Sequence, residues 1–170
     1  SFSETTRSGL AENVNIIRMV SNGNDIYALD ETSGAVLHLQ GGGGQYEVDE
    51  TFTCRPQNYG GVIVSKLVDL MPLPNGIMAN ATVLAVDETG NLIYCGPNIN
   101  PTVQTLTPPD QYLGKVAGLA QSGKILLVLD KGRNMIWRYG DPQQDAENPS
   151  EGLVDWTRAP KPYFQENPPS

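Results

Sequence analysis

Three apolar runs along the chain each end on an aspartate: Tyr27-Ala28-Leu29-Asp30, Leu84-Ala85-Val86-Asp87 and Leu127-Val128-Leu129-Asp130. A short polar turn follows each aspartate, and then a second apolar run, at 36–39, 92–95 and 135–139. Runs this short, partly β-branched and bounded by glycine-rich turns, predict buried strands rather than helix. The 18 glycines and 13 prolines fall mostly between the runs, where a strand-rich chain must reverse direction. The expected class is all-β.

The three aspartates are 57 and then 43 residues apart. Such spacings suit a repeating unit of four short antiparallel strands, the blade of a β-propeller. In the first unit the pattern predicts strands at 14–20, 26–30, 35–40 and 46–54, with turn clusters at 21–24 and 31–34 and a four-glycine turn at 41–44. Tyr46, Val48 and Phe52 fall at even spacing, as one buried face of a fourth strand requires. The second unit repeats the order at 64–71, 82–87, 91–95 and 101–107, with a longer turn at 72–80. The third has strands at 115–120, 124–130 and 134–139; 141–150 reads as a polar turn and 152–158 as the outer strand. The chain thus divides into an N-terminal segment (1–13), three blades (about 14–62, 63–113 and 114–158) and a proline-rich tail (159–170) that reads as extended linker. Leu29, Val86 and Leu129 occupy equivalent places and are expected to be buried alike.

The stretches DIYALDETSGAVLHL, TVLAVDETGNLIYC and KILLVLDKGRNMIWRY resemble blade repeats of bacterial β-propellers of the NHL and quinoprotein-like kind. The resemblance spans residues 14–140 and implies architecture more than activity. Similar repeats occur in extracytoplasmic or C-terminal regions of large bacterial signalling proteins, so it implies an extracytoplasmic or cell-surface setting. Closed rings have about four or more blades. A half-propeller of three would leave two apolar faces and unpaired strand edges in water. Either a second copy completes the ring as a homodimer, or further blades of a longer chain do; a compact three-sheet prism is the remaining arrangement.

Charge narrows the partners. The net charge is −8, which argues against nucleic acid and against an anionic membrane surface. No apolar run reaches the roughly 18 residues of a membrane span, and 1–15 is too polar for a signal peptide. We read Cys54 and Cys95 as two buried free thiols; their spacing cannot establish a disulfide.

Catalytic signals are sparse. The single histidine, His38, sits between Leu37 and Leu39 and reads as a surface or interface residue. No zinc-ligand spacing, nucleophile elbow or phosphate loop is present in the sequence. Asp30, Asp87 and Asp130 read as structural residues whose carboxylates accept backbone N–H bonds from the turns that follow. Trp137 and Tyr139 are expected to pack between blades. The turns after the three aspartates should gather on one acidic face. Glu31, Glu88, Lys131, Arg133, Trp156, Tyr163 and Phe164 form the candidate interaction surface, with the three tail aromatics docking on a neighbouring subunit. The expected function is a non-enzymatic scaffold that binds protein, with no cofactor and no metal. The alternatives are a propeller-type hydrolase or lyase with a channel metal near Asn15, Asp69 and Lys115, and a purely structural, self-assembling half-propeller.

Overall fold

The structure, a computed structural model, describes residues 13–42, 44–74, 78–140, 156 and 158–164. These residues form strands and turns only, and no helix among them is long and apolar enough to cross a membrane. The first sheet holds β1 (Ile16–Asn22), β2 (Asp25–Asp30), β3 (Ala35–Gly42) and β4 (Gln45–Val48). A separate hairpin, β5 (Gln57–Tyr59) and β6 (Val62–Val64), leads to the second sheet. That sheet holds β7 (Leu67–Pro72), β8 (Val83–Asp87), β9 (Asn91–Cys95) and β10 (Thr102–Thr105). The third holds β11 (Val116–Ser122), β12 (Ile125–Asp130), β13 (Met135–Tyr139) and β14 (Lys161–Pro162). All three are antiparallel and ordered as the chain runs.

The sheets stack face to face in sequence order. Tyr27, Leu29 and Val36 of the first sheet share one core with Leu70, Val83, Ala85 and Ile93 of the second. Met71, Leu84, Val86 and Tyr94, on the other face of the second sheet, share another with Leu119, Leu126, Val128 and Trp137 of the third. The middle sheet is therefore covered on both sides, which is why β8 and β9 are buried at every position and lack the alternation of a half-exposed strand.

The first strands of the three sheets come together, β7 lying against both β1 and β11. Each carries the same irregularity. Pairing begins at Ile16–Asp30, Leu67–Asp87 and Val116–Asp130, skips one residue, and resumes at Arg18–Leu29, Asp69–Val86 and Gly118–Leu129. A β-bulge of this kind turns one residue out of the ladder and increases the local twist. Backbone bonds then tie each sheet to the one before: the Leu67 amide donates to the Gly34 carbonyl at 2.9 Å, and the Val116 amide to that of Glu88 at 2.9 Å. Gly34 is required at the first junction. Its φ is +70°, and a Cβ there would lie 2.6 Å from the Lys66 side chain and 3.0 Å from its Cα.

Several expectations are corrected. Cys54 and Cys95 are joined in a disulfide, since the chain leaving the first sheet packs Cys54 into the same core as the end of β9. The fourth strand of the first sheet stops at Val48, because Asp49 accepts the Thr51 amide and hydroxyl in a turn; Tyr46 is exposed and Phe52 lies outside the strand. Gly41 and Gly42 belong to β3 rather than to the turn. The outer strand of the third sheet is Lys161–Pro162, within the tail read as linker; 152–155 and 157 of the expected strand lie outside the described residues, as do 141–150 and all but residue 13 of the N-terminal segment. Leu129 is 43% exposed although Leu29 and Val86 are fully buried. Its face is the one by which the first and second sheets contact their successors, and among the described residues no further four-stranded sheet lies against it.

Candidate functional site

Each of the three recurring aspartates sits at the end of its sheet's second strand and is buried. Asp30 accepts the Asn15, Thr32 and Ser33 amides and the Ser33 hydroxyl. Asp87 accepts from the Ser65, Thr89 and Asn91 amides, the Thr89 hydroxyl and the Asn91 side chain. Asp130 accepts the Gly114, Lys115 and Arg133 amides and the Trp137 indole N–H. In every sheet the carboxylate thus bonds both the turn after it and the segment entering the first strand. Burial pushes each carboxyl upward, but the sum of these bonds outweighs it and holds all three below the ordinary carboxylate range.

His38 is buried, contrary to a surface placement. It stacks on Tyr27 and lies between two carboxylates: Nδ1 is 2.8 Å from Asp49 Oδ2, and Nε2 is 2.7 Å from Asp25 Oδ1. Hydrogen bonds from Thr51 and His38 hold the Asp49 carboxyl below its usual range. The Tyr27 hydroxyl is hydrogen-bonded to Thr82, the residue before β8. Both ring nitrogens are thus engaged, and the group clasps β2 to the chain just beyond β4.

At the meeting of the first strands, Asp69 of β7 reaches both neighbours. Its Oδ1 lies 2.7 Å from Arg18 Nε of β1, and its Oδ2 accepts the Leu119 amide of β11 at 2.8 Å. Asn15 and Lys115, named with Asp69 as candidate metal residues, are engaged elsewhere: Asn15 with Glu31, and Lys115 with Glu88 at 3.7 Å. Among the described residues no three His, Cys, Asp or Glu side chains gather in a way that could hold a metal ion. One open depression of about 590 Å³ lies between the β7–β8 and β9–β10 loops, lined by Met78, Asn80, Thr82, Asn98 and Ile99 among others, without a charged group.

The candidate interaction residues do not form one patch. Trp156 is fully buried against Tyr94, so it belongs to this chain's own core and not to a neighbour's. Arg133 lies over the Tyr112 and Trp137 rings and donates to the Tyr112 carbonyl. Tyr163 and Phe164 are exposed and touch edge to face. Glu31, Glu88 and Lys131 are exposed on the three equivalent turns. The turns carry both signs of charge, Lys131 and Arg133 standing where the first two have glutamate and threonine or serine, so the surface is mixed rather than acidic.

Sequence reasoning missed the Arg18–Asp69 pair, the His38 clasp and the β5–β6 hairpin. The Asn58-Tyr59-Gly60-Gly61 stretch was the one signal for the hairpin. Compared with protein-family models, with curated proteins and with solved structures, the chain matches none.

Proposed function

We propose that this chain is a non-enzymatic scaffold: three propeller-type blades that form a protein-binding module, with the ring completed by a second copy or by further blades. One observation carries the reading. The three sheets repeat the same bulge, the same aspartate latch and the same choice of face toward the next sheet, with their first strands together. In a propeller the first strand of each blade is innermost and the blades follow one another around an axis. Among the described residues, the recurring aspartates, His38 and Asp69 are engaged in holding the sheets. The aspartates latch strands, His38 clasps β2 to the chain beyond β4, and Asp69 ties first strands. Among the described residues, the exposed turns, the Tyr163–Phe164 pair and exposed apolar side chains such as Ile63 and Leu129 are open to partners, and recognition by such surfaces needs no reaction.

The buried Cys54–Cys95 disulfide, which ties the segment after the first sheet to the second, supports an oxidising, extracytoplasmic setting. The test is direct. Purified protein is dialysed against calcium and zinc, its bound metal measured, and its hydrolysis of ester and lactone substrates assayed. The scaffold reading expects far less than one metal per chain and no turnover. One metal per chain or per pair, with turnover abolished by a chelator, overturns it in favour of a channel-metal hydrolase.

A further inference from the structure

We propose that the His38 clasp is operated by a proton: the ring carries one on each nitrogen, and loss of the one on Nε2 releases Asp25 and the end of the β1–β2 hairpin while Asp49 stays bound. The inference goes beyond the scaffold reading and does not rest on it.

Donors and acceptors decide the charge of the ring. An ionised carboxylate only accepts, whereas a neutral imidazole has one N–H and one lone pair. Nδ1 lies 2.8 Å from Asp49 Oδ2 and Nε2 lies 2.7 Å from Asp25 Oδ1. In either tautomer, a neutral ring sets a lone pair against a carboxylate oxygen at one of these contacts. A ring protonated on both nitrogens donates twice and satisfies both. His38 is only 2% exposed, so water is poorly placed to supply a missing donor. The charged groups facing the ring are Asp25 from β2 and Asp49 from beyond β4. Tyr27 of β2 stacks on it and Phe52 tilts against it. Burial holds the Tyr27 phenol above its ordinary range, so it meets the ring uncharged.

The two carboxylates are not equivalent. The Asp49 side chain is 10% exposed and also accepts the Thr51 amide and hydroxyl. Its own amide donates to the His38 carbonyl at 2.8 Å. Bonds from Thr51 and His38 hold its carboxyl below the usual range. Asp49 is therefore fixed as an acceptor, and the ring keeps Nδ1–H toward it. The Asp25 side chain is 40% exposed at the start of β2, and it turns to water when Nε2 stops donating.

Release of Asp25 acts on the junction between the first two sheets. Asp25 pairs with Asn22 at the end of the hairpin. The Asn22 side chain donates to the Leu73 and Thr82 carbonyls, at 3.1 and 2.9 Å, beside the ends of β7 and β8. One proton thus steadies the hairpin end that is bonded to the second sheet, and its loss loosens that corner. Histidine is the side chain that ordinarily changes charge between about pH 5 and 8.

NMR of the folded chain tests this. His38 is the one histidine, so its ring signals are unambiguous. Long-range proton–nitrogen correlation at pH 7 should show both ring nitrogens protonated. As the pH is raised, Nε2 should lose its proton and Nδ1 keep it. The backbone signals of Asn22–Asp25 should follow with the same midpoint, and the Thr51 amide should hold still. In Asp25→Asn, whose amide donates to an unprotonated Nε2, the midpoint should move to lower pH and the hairpin signals no longer follow it. An unprotonated ring nitrogen at pH 7 overturns the proposal. So does a proton lost from Nδ1, a ring that keeps both protons until the fold is lost, a hairpin that does not respond, or an unmoved midpoint in Asp25→Asn.

Discussion

Arg18 and Asp69 hold the same place in consecutive sheets, each the first residue to pair again beyond the bulge, and their side chains meet at 2.7 Å. Gly118 holds that place in the third sheet, and beside it Asp69 bonds the neighbouring Leu119 amide. A cation, an anion and a gap at one repeated position thus join the three first strands. Asp69 is the member that cannot be spared. Asp69→Ala leaves the Leu119 donor buried and unpaired and should cost about 2–3 kcal/mol. Arg18→Ala, at a half-exposed side chain, should cost about 1 kcal/mol or less. Urea midpoints of the two variants check the order; equal losses would contradict it.

The aspartate latches set the response to acid. Asp30, Asp49, Asp87 and Asp130 are all held below the usual carboxylate value of 3.8 in the folded chain. A depressed folded value means that the unfolded chain takes up these protons first. The stabilisation is fully present above the unfolded value, and it is lost as pH falls through the folded one. Urea midpoints should therefore change little on this account between about pH 7 and 5 and then fall from about pH 4 downward. Asp87→Asn should flatten that fall. A midpoint at pH 3 equal to that at pH 7 would contradict the latch.

Much of this was legible in the sequence, and the boundary has physical causes. β2, β8, β9, β12 and β13 were readable because each is an apolar run closed by a turn, and local pattern decides such elements. The two-residue strand Lys161–Pro162 has no pattern to read, and only its pairing with Trp137 and Arg138 defines it. The Cys54–Cys95 bond and the burial of Trp156 depend on contacts between distant segments, which spacing does not encode. The alternation around His38 correctly set it opposite Leu37 and Leu39. It could not say that its side is buried beside Tyr27, with Asp25 and Asp49 bonded to its two nitrogens.

Opening the disulfide should loosen the junction between the first two sheets. The bond closes a separation of 41 residues, and its loss should cost about 2–4 kcal/mol. Thermal melting of the Cys54→Ala/Cys95→Ala double variant should show a clearly lowered midpoint with the β spectrum retained at low temperature. An unchanged midpoint would mean that apolar packing alone holds the junction.

Two glycines with like backbone but unlike surroundings separate conformation from contact. Gly23 has φ +64° with open space around a would-be Cβ, whereas Gly34 has φ +70° and Lys66 pressed against it. Gly23→Ala should cost about 1 kcal/mol, from the left-handed backbone alone. Gly34→Ala should cost about twice that or more, because the second sheet must also shift. Chemical unfolding of both variants measures the difference; equal costs would contradict the close approach.

Amide hydrogen exchange tests the face-to-face order of the three sheets most directly. If the second sheet lies between the other two, the slowest amides are those of β8 and β9, whose residues are buried on both faces. β4 and β5 should exchange orders of magnitude faster, being exposed over most of their length. Protection of β8 and β9 no greater than that of β4 and β5 would contradict the stack, and with it the repeat on which the scaffold reading stands.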